Sequence, residues 1–273
     1  MNAGLTAGAV LSLLMAAAAL LSLVWLPFDP IAMDIVHRLQ PPSWLHPFGT
    51  DAYGRDLLSN VIAGARASLT AALAACLVGA GLGVPLGLLA ASRGGLVEEI
   101  VTRAGDVVFA FPALLTAVLI AAVWGPGMVA VVSAIGLFNI SVFARVTRGA
   151  ALGLLHRDFV LAARVAGKGE VRISFEHILP NCLGLLLVQG AMQFSLAVIA
   201  EAGLSYVGLG LQPPTPSWGR LLDAAQTMMS LAPWLAIFPG LAILLTVLGF
   251  TLLGDGLRDR LDPRQVRQAE RPQ

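Results

Sequence analysis

Apolar positions in this chain come in long uncharged runs, with neither the alternation of a half-buried strand nor the stripe of a surface helix. The first run covers about Leu5–Leu26 and is closed by Pro27. A second lies between Arg66 and Arg93, and 38 uncharged residues separate Asp106 from Arg145. About 20 apolar residues cross a bilayer, so that run is too long for one helix. Trp124-Gly125-Pro126-Gly127 divides it into two spans joined by a tight turn. A fifth run follows His177 and reaches Glu201, and a sixth between Asp223 and Asp255 places a helix at Trp234–Leu253. The pattern predicts an all-α integral membrane protein with six transmembrane helices. It divides into an N-terminal transmembrane helix (1–27), an external loop and lead-in segment (28–68), a five-helix core (69–254) holding a cytoplasmic loop at 145–181, and a cytoplasmic tail (255–273).

Composition agrees. Of 273 residues, 57% are hydrophobic and 12% charged, about half the charge of a soluble domain, and mean hydropathy is +0.82. A net charge of +1 gives no general affinity for nucleic acid. Cys76 and Cys182 form no CxxC pair and read as buried thiols. The first run has no Lys or Arg before it, so a retained helix is expected in place of a cleaved signal peptide. With six spans, both termini share one side. That side holds thirteen Lys and Arg residues, in the segments 93–106 and 145–176 and in the tail (Arg258, Arg260, Arg264, Arg267, Arg271). The other side holds four, Arg38, Arg55, Arg66 and Arg220. Both termini and the 145–181 loop are therefore expected in the cytoplasm.

Within that loop lies DFVLAARVAGKGEVRISFEHILPN, residues 158–181. Asp158 suits an N-cap, Phe159–Ala166 favour a helix, and Gly167 and Gly169 suit its end. A helix of two turns is too short to stand alone. Its surface (Phe159, Val160, Ala162, Ala163, Val165, Ala166) is small and apolar around Arg164, as close docking into a groove requires. Glu170–His177 reads as a charged connector, and Leu179-Pro180-Asn181 leads into the fifth span. Spacing alone leaves two readings of equal standing, a docking helix and a solvated loop whose charges set topology.

The stretch resembles the loop of ABC importer permeases whose pattern runs Glu-Ala-Ala, three residues, Gly, nine residues, a hydrophobic residue, any residue, Leu-Pro. Here it reads Leu161-Ala162-Ala163, Gly167, then His177-Ile178-Leu179-Pro180; Leu161 replaces the Glu and His177 an aliphatic residue. Three further segments are similar to the dipeptide, oligopeptide and nickel branch, second (C-type) subunit. They are His46-Pro47-Phe48-Gly49-Thr50-Asp51-Ala52-Tyr53-Gly54-Arg55-Asp56; Leu204–Gly210 with Pro213–Gly219; and Gly254–Pro263. The resemblance covers about residues 25–264. It implies a type I ABC importer permease fold in a bacterial inner membrane and half of a pathway for di- or oligopeptides, with chelated nickel as the alternative. The implied partners are a second related permease, one or two ATP-binding subunits, an external solute-binding protein and the lipid bilayer. The ATPase would dock on Phe159, Ala162, Ala163, Arg164, Gly167, Leu179 and Pro180. Leu161 in place of Glu puts one polar contact to that partner in question.

No catalytic residue, cofactor or metal is expected. The nearest approach to a phosphate-binding loop, Ala162 to Gly169, lacks the first Gly and a Ser or Thr after Lys168. A serine hydrolase would need a base beside Ser205, yet His177 falls at the opposite membrane face. A proton-coupled carrier would need ionisable groups within the spans, which are nearly uncharged. Gln189 and Gln193, four apart on the fifth span, either line the solute path or bond between helices. Glu201 at its outer end is a path residue or, preferably, an interhelix partner. Gly79, Gly83 and Gly87 suit close helix packing. The proline-rich Gln212–Gly219 is either a plain rigid loop or part of an external gate, and Asp51–Ser68 reads as an amphipathic lead-in anchored by Tyr53 and Arg55.

Overall fold

The computed structural model describes residues 3–261. Arg264, Arg267, Arg271 and the end of the Gly254–Pro263 motif lie outside the described residues. Among the described residues there are ten α-helices: α1 (Ala3–Leu21), α2 (Leu57–Arg93), α3 (Gly95–Ala110), α4 (Ala113–Trp124), α5 (Met128–Leu154), α6 (Asp158–Val165), α7 (Glu170–Ile173), α8 (Leu179–Tyr206), α9 (Trp218–Ala225) and α10 (Trp234–Leu261). Among the described residues five helices, counting α7 and α8 as one, are long and apolar enough to cross a membrane. α3 and α4, bent by 92° at the break between them, pass the same test as a pair and make a sixth candidate.

Three boundaries differ from the sequence expectation. α2 starts at Leu57 and runs 37 residues, so the 68/69 boundary falls inside one helix and the part of the lead-in from Leu57 to Ser68 is its first three turns. Its polar residues Ser59, Asn60 and Ser68 are buried against protein, which is why they do not interrupt it. The third span breaks at Phe111-Pro112, since the ring of Pro112 supplies no N–H to continue the ladder. The charged segment before it, expected as a loop, is helix α3. The connector Glu170–His177 is also helical. α7 passes through one π-helical turn, Ser174–Ile178, straight into α8. That turn carries the Leu179 N–H to the Ser174 carbonyl, one residue further back than in an α-helix, just before Pro180, whose ring would crowd a regular turn.

Between membrane helices lipid supplies no hydrophobic drive, so close packing must hold them. α2 and α5 meet along the glycine row. A Cβ on Gly83 would lie 2.5 Å from the Ile140 carbonyl oxygen, and one on Gly87 2.5 Å from that of Ala144. α1 packs on α10 through Gly8, Gly249 and Gly256 in the same way. Leu77, Leu82, Leu183, Leu187 and Leu244 point outward, the surface a bilayer would cover. The segment 28–56, expected to lie outside, ties helix ends together. Asp56 caps α2 by accepting from the Ser59 N–H (2.8 Å) and hydroxyl (2.7 Å), and bonds His46 Nδ1 at 2.8 Å. Phe48 stacks on Phe238 of α10 at 3.8 Å. Tyr53 and Arg55 serve this loop: Arg55 pairs with Asp51 at 2.7 Å and lies over the Tyr53 ring.

Candidate functional site

α6 is an eight-residue helix with two unlike faces. Arg157 occupies the capping position, and Asp158, expected as the cap, is the first helical residue. Its carboxylate still meets the positive end of the helix. The far end closes as expected. Gly167 takes φ +78°, its N–H bonds the Arg164 carbonyl at 2.9 Å, and the Lys168 N–H bonds that of Ala163 at 3.1 Å. This pair of bonds is a Schellman stop, which needs a left-handed residue and so favours glycine. Gly169 has an ordinary φ of −71° and instead precedes α7.

The inner face of α6 is Val160 and Ala163, both buried, where sequence reading had counted them on the docking surface. They join Leu88 and Ala91 of α2, Ala151 of α5, Ile173 of α7 and Cys182 of α8 in one apolar cluster. The outer face carries Phe159 (40% exposed), Leu161 (46%) and Val165 (90%), flanked by exposed Ala162, Arg164 and Ala166. Leu161 thus stands where a polar side chain would face outward. Leu179 is half-buried and Pro180 exposed, the first two residues of α8.

One ion pair fixes α6 to the helix that follows, and others brace the connector and that helix. Arg164 holds Glu170 with two bonds (2.8 and 3.1 Å), Lys168 meets Glu176 at 2.7 Å and His177 at 2.9 Å, and Arg172 meets Glu176 at 2.6 Å. The Glu170 carboxylate beside Arg164 raises the guanidinium above its ordinary range. Exposed pairs contribute little singly, and their use here is to fix orientation.

The polar residues of the fifth span separate. Gln193 is 3% exposed and lines a cavity between α4, α5 and α8, while half-buried Gln189 lies outside that lining. Glu201 is fully buried, accepts from the Ser205 hydroxyl at 2.6 Å, and has the Ser68 and Ser217 hydroxyls beside it. It ties α2, α8 and the loop before α9 together. The proline-rich loop ends in the same cluster. Ser217 caps α9, and buried Trp218 donates from Nε1 to the Val61 carbonyl at 2.9 Å and from its backbone to Ser68 Oγ at 3.2 Å. Ser205 and His177 stand at opposite ends of one continuous helix, roughly 40 Å apart at 1.5 Å per residue, so they form no catalytic pair. Sequence reading missed Asn139, 2% exposed on the cavity wall, and the Ser68–Ser205–Ser217 shell of Glu201. A lone Asn in an apolar run was the available signal for the first.

Known proteins share this architecture. The model of the binding-protein-dependent transport system inner membrane component matches residues 83–267. The di/tripeptide transport system permease protein DppC of Pseudomonas aeruginosa is 42% identical over 269 residues, covering 96% of this chain and 89% of that one. The glutathione transport system permease protein GsiD of Pectobacterium atrosepticum is 44% identical over 240 residues, 88% of this chain and 80% of that one. Among solved structures, the MetNI methionine ABC transporter in inward facing conformations aligns with a TM-score of 0.57 at 18% identity, covering 79% of this chain and 98% of its own; that likeness supports the fold. The chain therefore belongs to the binding-protein-dependent transport system inner membrane component family, as a multi-pass permease subunit of a bacterial inner-membrane ABC importer and not an enzyme.

Proposed function

We propose that this permease carries small peptides, paired with a second related permease, driven by ATPase subunits that dock on α6 and supplied by an external solute-binding protein. The observation that carries the docking reading is the outer face of α6. Phe159, Leu161 and Val165 stay exposed on the helix whose inner face is packed into the ends of α2, α5 and α8. A push on α6 would reach three membrane helices through that cluster, as rigid-body switching requires. Both termini are assigned to the same, cytoplasmic side as α6. The peptide reading rests on relatives named for di/tripeptide and glutathione transport; nickel, the other cargo raised by the sequence, has no support among them.

Affinity purification of the chain from its native membrane tests the assembly. A related permease, an ATPase and a solute-binding protein are expected to accompany it. Phe159→Ser with Val165→Ser is expected to lose the ATPase while the thermal unfolding midpoint stays within about 2 °C, since exposed substitutions change stability by about 0.5 kcal/mol or less. Retention of the ATPase by that variant would remove α6 as the docking element. Uptake of labelled dipeptide by the reconstituted complex, competed by peptides and indifferent to nickel, is the expected cargo result.

A further inference from the structure

The third candidate span is discontinuous, broken between α3 and α4. α3 climbs along α5: Glu98 pairs with Arg148, Asp106 with Arg145 at 2.7 Å, and Phe109 meets Phe138 at 4.9 Å. The chain then turns through 92° and α4 starts at Ala113. Phe138 lies ten residues into α5, so about 15 Å from its outer end at 1.5 Å per residue. That is about half of a 30 Å hydrocarbon layer. A helix N-terminus therefore opens near the bilayer midplane. Pro112 has no N–H and caps nothing, and the N–H groups of Ala113, Leu114 and Leu115 have no acceptor among the described residues.

Ala113 and Leu114 line a cavity of about 400 Å³ between α4, α5 and α8. Its wall is apolar apart from two side chains, Asn139 and Gln193. The Gln193 carbonyl oxygen has no hydrogen-bond partner among the described residues. Asn139 makes only a weak 3.7 Å contact to Cys76 Sγ. Within a bilayer, unpaired backbone and amide groups cost several kcal/mol unless they line a path that brings them partners. Two kinds of group are offered here, open N–H groups at a positive helix end and a primary amide that both donates and accepts. A carboxylate suits the first and a peptide group the second. The C-terminal end of a peptide carries both, separated by a single Cα.

We propose that this cavity is a transit subsite for the C-terminal end of a peptide, with the α4 N-terminus receiving the carboxylate and Gln193, flanked by Asn139, holding the adjoining peptide group. The proposal rests on the peptide reading above. No cation lines the cavity, so binding is weak, as passage through a pore requires.

The test is equilibrium binding of radiolabelled dialanine and its C-terminal amide to the purified transporter complex without its solute-binding protein. Saturable binding of the free acid is expected, about tenfold weaker for the amide and about tenfold weaker for Gln193→Met, each change removing one polar interaction. The acid–amide comparison uses the wild-type complex and needs no variant to fold. No saturable binding, or equal binding of acid and amide together with unchanged binding by Gln193→Met, overturns the subsite. Uptake by the same complex with its binding protein separates the two failures. If dipeptide uptake persists, only the subsite falls; if the wild-type complex takes up no peptide, the peptide reading falls and the subsite with it.

Discussion

Gly167 shows how much one residue decides. Its φ of +78° places it in the left-handed region, and no atom lies within 4 Å of where a Cβ would stand, so strain and not collision limits substitution. A β-branched residue there costs about 1–2 kcal/mol or more, enough to unwind a helix of two turns. Gly167→Val is expected to abolish solute-stimulated ATP hydrolysis by the complex, and Gly167→Asn, which tolerates the left-handed region, to keep most of it. Normal stimulation in the valine variant would show that the stop at Gly167 does not matter to coupling. This glycine, its spacing from Ala162 and Ala163, and the break after Ala166 were legible from sequence. The inward turn of Val160 and Ala163 was not, because helical periodicity over eight residues gives two faces without saying which one meets the protein.

At the scale of elements, the row Gly79, Gly83 and Gly87 sets how closely α2 approaches α5, and neighbouring Gly81 has nothing within 4 Å of its Cβ position. Gly83→Ala is therefore expected to destabilise the protein by about 1–3 kcal/mol and Gly81→Ala by no more than about 0.5 kcal/mol beyond helix propensity effects. Thermal unfolding read by a thiol-reactive dye on buried Cys76 and Cys182 checks the contrast, and equal midpoints would contradict the close packing. The sequence supplied the apolar runs and hence the spans. It misplaced ends wherever polar residues lie inside a helix. Ser59, Asn60 and Ser68 look like a polar lead-in until α2 is seen to bury them, and Glu98 and Asp106 look like loop charges until α3 turns them toward Arg148 and Arg145.

For the whole molecule, the topology proposed above puts both termini, α6 and α7 on the cytoplasmic side and the His46–Asp56 loop on the other. With Cys76 and Cys182 replaced by alanine, a cysteine at Tyr53, half exposed in the loop before α2, is expected to react with an impermeant reagent added outside intact spheroplasts. A cysteine at Glu170 is expected to react only after permeabilisation. Labelling of the Glu170 position from outside would invert the molecule and move α6 away from any cytoplasmic ATPase. By itself the sequence determined that the chain is a helical membrane protein with up to six spans and a short helix before the fifth, because a bilayer enforces run length and a glycine with no side chain to strain ends that helix, and its motifs carried the resemblance to a permease. Tertiary structure alone decided which side chains face inward on α6, that Glu201 ties helices together, and that Gln193 and Asn139 share a cavity with the open end of α4. Those depend on how helices distant in sequence come into contact, and along any one run an apolar residue facing lipid looks the same as one facing a neighbour.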